Sequence, residues 1–150
     1  MIRRATPDDA YTIARLRDEM AQEMRPDEQR DPTFRERAFV YWYEKIEAGT
    51  IVAWIAEDGG QPVGMASLLL HHHPPLPFGE RRRGYVTGVY VIPEARRNGH
   101  GKALMDAVID FGREAGLQRL ELRTSTMGRA LYESVGFESV ELMILKLDQK

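Results

Sequence analysis

Cysteine is missing from all 150 residues. Its absence excludes disulfides, thiolate metal sites and a cysteine nucleophile together, and it agrees with a reducing, cytoplasmic setting. Also missing is any apolar run near the ~18 residues that a membrane span requires. Strong charge of either sign is lacking too. A net charge of -2 and a pI near 6.1 argue against nucleic acid or an anionic membrane as the main partner. Met1, Ile2, Arg3 and Arg4 lead directly into a polar helix start, so no secretory signal peptide is expected. No internal repeat, low-complexity tract or linker divides the chain, and one domain spanning 1–150 is expected. That length suffices to bury about two-thirds of the unfolded surface without staples.

What is present reads as alternating strands and helices. Residues 2–5 form a short first strand. Thr6-Pro7-Asp8-Asp9 follows as a helix start, with Thr6 as N-cap and Pro7 at the first helical position. Ala10, Ile13, Ala14, Arg17 and Met20 recur at helical spacing, with Arg17 at the edge of the stripe. Asp31-Pro32-Thr33 opens a second helix carrying Phe34, Ala38, Tyr41, Trp42 and Ile46, closed near Gly49. Strands at 51–57 and 62–70 flank the hairpin turn Asp58-Gly59-Gly60-Gln61. A loop rich in proline, histidine and arginine occupies 71–83.

Residues 85–92 are strongly β-forming. The clearest helix spans 101–115, with Leu104, Ala107, Val108 and Phe111 on one face and Gly116 as its stop. A strand at 117–124, a short helix at 127–135 stopped by Gly136, and a last strand at 137–147 complete the chain. The order β-α-α-β-β-β-α-β-α-β predicts mixed α/β: one twisted sheet of about six to seven strands with helices on both faces.

The most informative stretch is the turn between the strand at 85–92 and the helix at 101–115. It runs Pro93-Glu94-Ala95-Arg96-Arg97-Asn98-Gly99-His100-Gly101-Lys102. Helix N-termini leave amide N–H groups unpaired and carry partial positive charge, so such a turn suits an anion. Gly99 and Gly101 lack Cβ atoms and let a phosphate approach the backbone, while Arg96, Arg97 and Lys102 add charge at the same mouth. A glycine-bearing turn with solvated arginines is the plainer alternative. The P-loop spacing is absent, because Gly101-Lys102 is followed by Ala103 and position 96 is not glycine. The dinucleotide fingerprint fails as well, since position 104 is Leu.

The pattern Gln/Arg-x-x-Gly-x-Gly/Ala does fit, as Arg96-Arg97-Asn98-Gly99-His100-Gly101, preceded by Val89-Tyr90-Val91-Ile92-Pro93-Glu94. With Leu131-Tyr132-Glu133-Ser134-Val135-Gly136-Phe137 downstream, the chain closely resembles the GNAT superfamily of N-acetyltransferases. The two motifs cover 89–137, and the order of elements is compatible throughout. The resemblance implies acetyl-CoA as acyl donor, with its pyrophosphate on the turn at 96–102 and its arm along the backbone of Val89, Tyr90 and Val91. It implies that Tyr132 protonates the departing thiolate. Ser125 stands where many members carry an asparagine that bonds the cofactor arm.

No Gly-x-Ser-x-Gly elbow is present, so direct attack by an amine in a ternary complex is expected rather than an acyl-enzyme. Alternation along 85–92 places Tyr85, Thr87, Val89 and Val91 on one face, with Tyr85 and Thr87 towards the acceptor. The strand glutamate that several members use as base is missing here. Glu80, one of His71 to His73, or a chain of waters is left to take the proton. Consecutive histidines on an extended segment point alternately up and down, so no metal is expected from His71, His72 and His73.

Arg81, Arg82 and Arg83 read as a solvated run that can steer phosphate, and Trp42 as core beside Tyr41 and Tyr43. The acidic stretch Glu19, Glu23, Asp27, Glu28 and Asp31 reads as a solvated edge able to attract a cation. The expected partners are acetyl-CoA and an amine-bearing small molecule or peptide, with a homodimer left open. Two alternatives stay open: a coenzyme A-binding module without turnover, and an unrelated nucleotide-binding protein.

Overall fold

Six apolar residues in succession, Ile51 to Ala56, set the centre of the molecule. In the computed structural model, which describes residues 1–71, 74, 77 and 82–148, they fall in β2 (Ile51–Asp58) and are buried on both sides. Ile51, Ala53 and Ile55 face one core, and Val52, Trp54 and Ala56 face the other. β1 (Ile2–Arg4) pairs antiparallel with one edge of β2, and β3 (Gln61–His71) with the other. The expected hairpin turn joins β2 to β3, with Asp58 opposite Gln61.

β4 (Arg83–Val86) and β5 (Tyr90–Val91) both pair antiparallel with β3, and β6 (Arg119–Leu122) lies parallel to β4. The order is β1-β2-β3-β4-β6, with β5 also on β3, giving six strands. Helices α1 (Ala10–Met24) and α2 (Phe34–Ala48) bury Ile13, Ala14, Leu16, Ala38 and Trp42 against one face. On the opposite face α3 (His100–Glu114) buries Leu104, Met105 and Val108, with α4 (Arg129–Ser134) beside it. No helix among the described residues is long and apolar enough to cross a membrane.

Polar side chains fix the helix entries. Asp9 accepts the Thr6 backbone N–H at 2.8 Å and a two-pronged contact from Arg3, tying the first helix start to β1. Asp31 accepts the Thr33 N–H at 2.8 Å one residue before α2. Buried Asp18 in α1 takes hydrogen bonds from Arg30 and Arg35, which lock the connection and α2 to α1.

Two expectations need correction. The strand expected at 85–92 is broken. Leu68 lies opposite Val86 but Met65 lies opposite Tyr90, so the outer strand carries one residue more than β3 across this interval. That surplus is a β-bulge at Gly88, whose φ of +80° lies in the left-handed region. One inserted residue reverses the alternation beyond it. Tyr85 and Thr87 therefore do not share a face with Val89 and Val91: Val89 and Val91 pack on the core beneath α3, and Tyr90 on the core beneath α1.

The strand expected at 137–147 is not formed. Val140, Leu142, Met143, Ile144, Leu145 and Leu147 are between 61% and 88% exposed. Alternation marks which faces a strand would show, but a strand also needs a neighbour to take its N–H and C=O groups, and this segment has none among the described residues.

Candidate active site

The bulge and the turn that follows build one cleft. At Gly88 and Val89 the chain leaves β3, and the backbone N–H and C=O groups of both make no hydrogen bond with the described residues. Past β5, a short turn at Pro93–Ala95 leads into the motif. Asn98 donates its side-chain N–H to the Ala95 carbonyl at 3.1 Å, and Arg97 is the one described non-glycine residue with positive φ, at +66°. Gly99, at φ +81°, is the N-cap of α3, and a Cβ there would meet nothing within 4 Å. Ala103 is the first residue of the helix to find a backbone acceptor, the Gly99 carbonyl at 3.0 Å. The N–H groups of 99–102 thus stay unpaired and point out of a fifteen-residue helix.

The arginines of the turn divide their tasks. Arg96 donates to the Val91 carbonyl at 2.9 Å and grips Glu23 of α1 with both terminal nitrogens, at 2.7 and 2.5 Å. Its hydrogen bonds hold the Glu23 carboxyl below the usual range, while burial and then Glu23 push the neighbouring Tyr90 phenol up to about 12. Arg96 is therefore a staple between α1 and the turn, not a mobile charge as the sequence suggested. Lys102 reaches Asp106 at 3.0 Å on the exposed helix surface, and Arg97 has no carboxylate partner among the described residues. His100 is turned inward, its Nε2 buried without a hydrogen bond and 3.9 Å from Asp58.

Across the cleft stands α4. The Tyr132 ring lies over Gly128, where a Cβ would come within 2.6 Å of it, and rests edge-on against Phe137 at 6.0 Å. Burial raises the phenol above its ordinary pKa, so it is a donor at neutral pH. Ser125 accepts the Gly128 N–H at 3.1 Å and starts this helix while lining the cleft. The cleft has a volume of about 620 Å³, and Val89, Tyr90, Val91, Gly99, Gly101 and Tyr132 are among its walls.

A second cavity of about 540 Å³ opens between α1, α2, β3 and β4. Tyr85 and Thr87 line it with Arg17, Phe34, Tyr41 and Trp42. Gly88 lines the first cleft, and the guanidinium of Arg17, which lines the second cavity, is seated against it. Sequence reading undervalued both residues. An isolated glycine inside a β-forming run is the signal of a bulge, and it was available in Thr87-Gly88-Val89. Arg17 carried only the weaker sign of a charge beside an apolar stripe.

Other expected residues sort as follows. Trp42 is core, at 4% exposure. Glu19, Glu23, Glu28 and Asp31 each pair with an arginine, so this acidic stretch is spent on local structure. Arg82 donates to the Ala115 carbonyl and Arg83 pairs with Glu121. His71 lies edge-on to Tyr85 at 6.3 Å. His72, His73, Glu80 and Arg81 lie outside the described residues. Among the described residues no cluster of histidine and carboxylate could hold a metal ion.

Known proteins with the same features are numerous. Over 141 residues the chain is 28% identical to the uncharacterized N-acetyltransferase YhfO of Bacillus subtilis, covering 91% of this chain and 89% of that one. It is 35% identical over 88 residues to human N-acetyltransferase 8, using 57% of this chain and 37% of the human protein. The chain thus spans little more than a third of that relative's length. A predicted acetyltransferase from Clostridium acetobutylicum, crystallised with acetyl-CoA, matches with a TM-score of 0.86 at 25% identity, covering 98% of this chain and 96% of that one. Residues 13–137 match the model of the acetyltransferase (GNAT) family, and the chain belongs to that family.

Proposed function

We propose that this protein moves the acetyl group of acetyl-CoA directly to an amine, with both bound at once in a ternary complex. The observation that carries this reading is the convergence on one cleft of unpaired backbone groups at 88–89, unpaired N–H groups at 99–102, and the Tyr132 phenol. The residues present fit coenzyme A. A row of free amides with Arg97 and Lys102 nearby suits a pyrophosphate, and open backbone at Gly88 and Val89 suits an amide-bearing arm.

Bound acetyl-CoA would supply the thioester that the amine attacks. Gly99 and Gly101 allow phosphate oxygens close to the amides of His100, Gly101 and Lys102. Asn98 and Arg96 hold that turn in shape, and the Tyr90 ring lies under the Arg96 guanidinium at 5.6 Å. The free N–H groups beside the bulge are suited to polarise the thioester carbonyl and to stabilise the oxyanion that develops. Ser125 keeps a hydroxyl proton to donate towards the arm. Tyr132 gives its proton to the departing sulfur, and the proton lost by the amine passes to water, from which the phenol is restored. Tyr85 and Thr87 line the acceptor side. The reading includes a cytoplasmic setting, in keeping with a chain free of cysteine, and a homodimer. The open outer edge of β6 and the apolar alternation at 140–147 support the dimer.

Calorimetry with acetyl-CoA tests the proposal first. Binding is expected, weakening with salt because charges contribute. No heat at millimolar ligand would remove the central claim. Thiol release with mixed amines tests turnover, and binding without release would leave a coenzyme A-binding module.

A further inference from the structure

From the cavity at Arg17 we infer that the acceptor is an amine bearing a carboxylate a few bonds away, of the α-amino acid type with a large apolar side chain. This rests on the function proposed above and names its substrate class. Among the described residues, the charged groups lining the cavity are two arginines, Arg17 and Arg37, and no carboxylate lines it. Arg37 is engaged with Asp31 and Thr33. Arg17 pairs with no anion among the described residues. Its Nη1 lies 3.4 Å from the Thr87 carbonyl, a weak contact, and its guanidinium lies over the Trp42 ring at 5.2 Å.

A half-buried guanidinium without a carboxylate is costly to keep, and burial pulls its pKa below the ordinary arginine value. One unspent planar cation matches one carboxylate, which it can grip with two parallel N–H donors. A plain alkylammonium would meet only positive charge here. Position sets the spacing. Arg17 sits against Gly88, adjacent to Val89 on the donor side, so an anion on Arg17 and an amine at the thioester are separated by a few bonds. Phe34, Tyr41, Trp42, Ile51 and Leu69 give the remaining volume an apolar and aromatic wall.

The test is thiol release at saturating acetyl-CoA with three matched amines: L-phenylalanine, L-phenylalaninamide and 2-phenylethylamine. The same trio is then built on leucine and on methionine. The carboxylates are expected to exceed their amide and decarboxylated partners by at least about tenfold in kcat/KM. Arg17→Gln is expected to raise KM for the carboxylates by about 30-fold or more and to erase the preference, with Kd for acetyl-CoA unchanged. Arg17→Lys, which keeps the charge but loses the fork, should fall between.

Equal or better turnover of the uncharged partners overturns the inference. So does a preference that survives Arg17→Gln, or no release from any carboxylate by protein that binds acetyl-CoA. The comparison among substrates uses the unaltered chain, so it decides the matter even where a variant does not fold. Failure to bind acetyl-CoA at all would instead remove the underlying function, and the two failures are read separately by calorimetry.

Discussion

In the function proposed above, Tyr132 has a hydroxyl that serves chemistry rather than packing. Its ring is fixed by Gly128 and Phe137, while no described residue hydrogen-bonds its oxygen. Tyr132→Phe keeps the ring, so melting and Kd for acetyl-CoA should be nearly unchanged while kcat falls about 10²–10⁴-fold where chemistry limits turnover. Because burial raises this pKa, the proton remains available through neutral pH and past the ordinary phenol value of 10.0. Loss of rate from its deprotonation should therefore appear only above that value, and full kcat in the Phe variant would make the residue structural. Gly99 is the matching residue on the donor side. Gly99→Asp strains a φ of +81° and places a carboxylate before the free amides. Calorimetry should show acetyl-CoA binding lost by far more than melting changes; unchanged binding would move the phosphate site elsewhere. Both residues were legible from motif and position. The task of Arg96 was not, since its partner Glu23 is 73 residues away along the chain.

Among the elements, the bulged outer strand decides most. A regular strand would have put Tyr85, Thr87, Val89 and Val91 side by side on one surface. The extra residue sends the first pair to the cavity beside α2 and the second to the cleft beside α3 and α4. Gly88→Ala tests this. Left-handed backbone at a residue with a Cβ costs about 1–2 kcal/mol, and that Cβ would lie 2.0 Å from the Arg17 guanidinium, which must leave its seat. A loss of about 2–8 °C in Tm is expected by calorimetric melting, with a higher KM for the acceptor. An unchanged KM would separate Arg17 from acceptor binding. The glycine was visible in the sequence, but only the register against β3 reveals that it inserts a residue instead of merely weakening a strand.

At the scale of the whole molecule, the sheet ends on one side at β6, and the segment that could extend it lies exposed. In the dimer proposed above, these exposed apolar side chains form the association site. Light scattering after size exclusion should show a dimer that is lost on combined Leu142→Lys and Ile144→Lys; a monomer at every concentration of the unaltered chain would refute this. The sequence by itself determined the layers, because the unbroken apolar run of β2 and the period of 3.6 in α1 and α3 state which side chains must leave water. It determined the turn of free amides too, since unpaired N–H groups at a helix start are a local consequence of backbone geometry. Only the tertiary structure decided the bulge's effect on facing, the Glu23–Arg96 staple, the unpaired charge of Arg17 and the fate of 137–147. Each depends on a partner distant in the chain, and local propensity carries no information about which distant group will be there to accept a hydrogen bond, a charge or a strand edge.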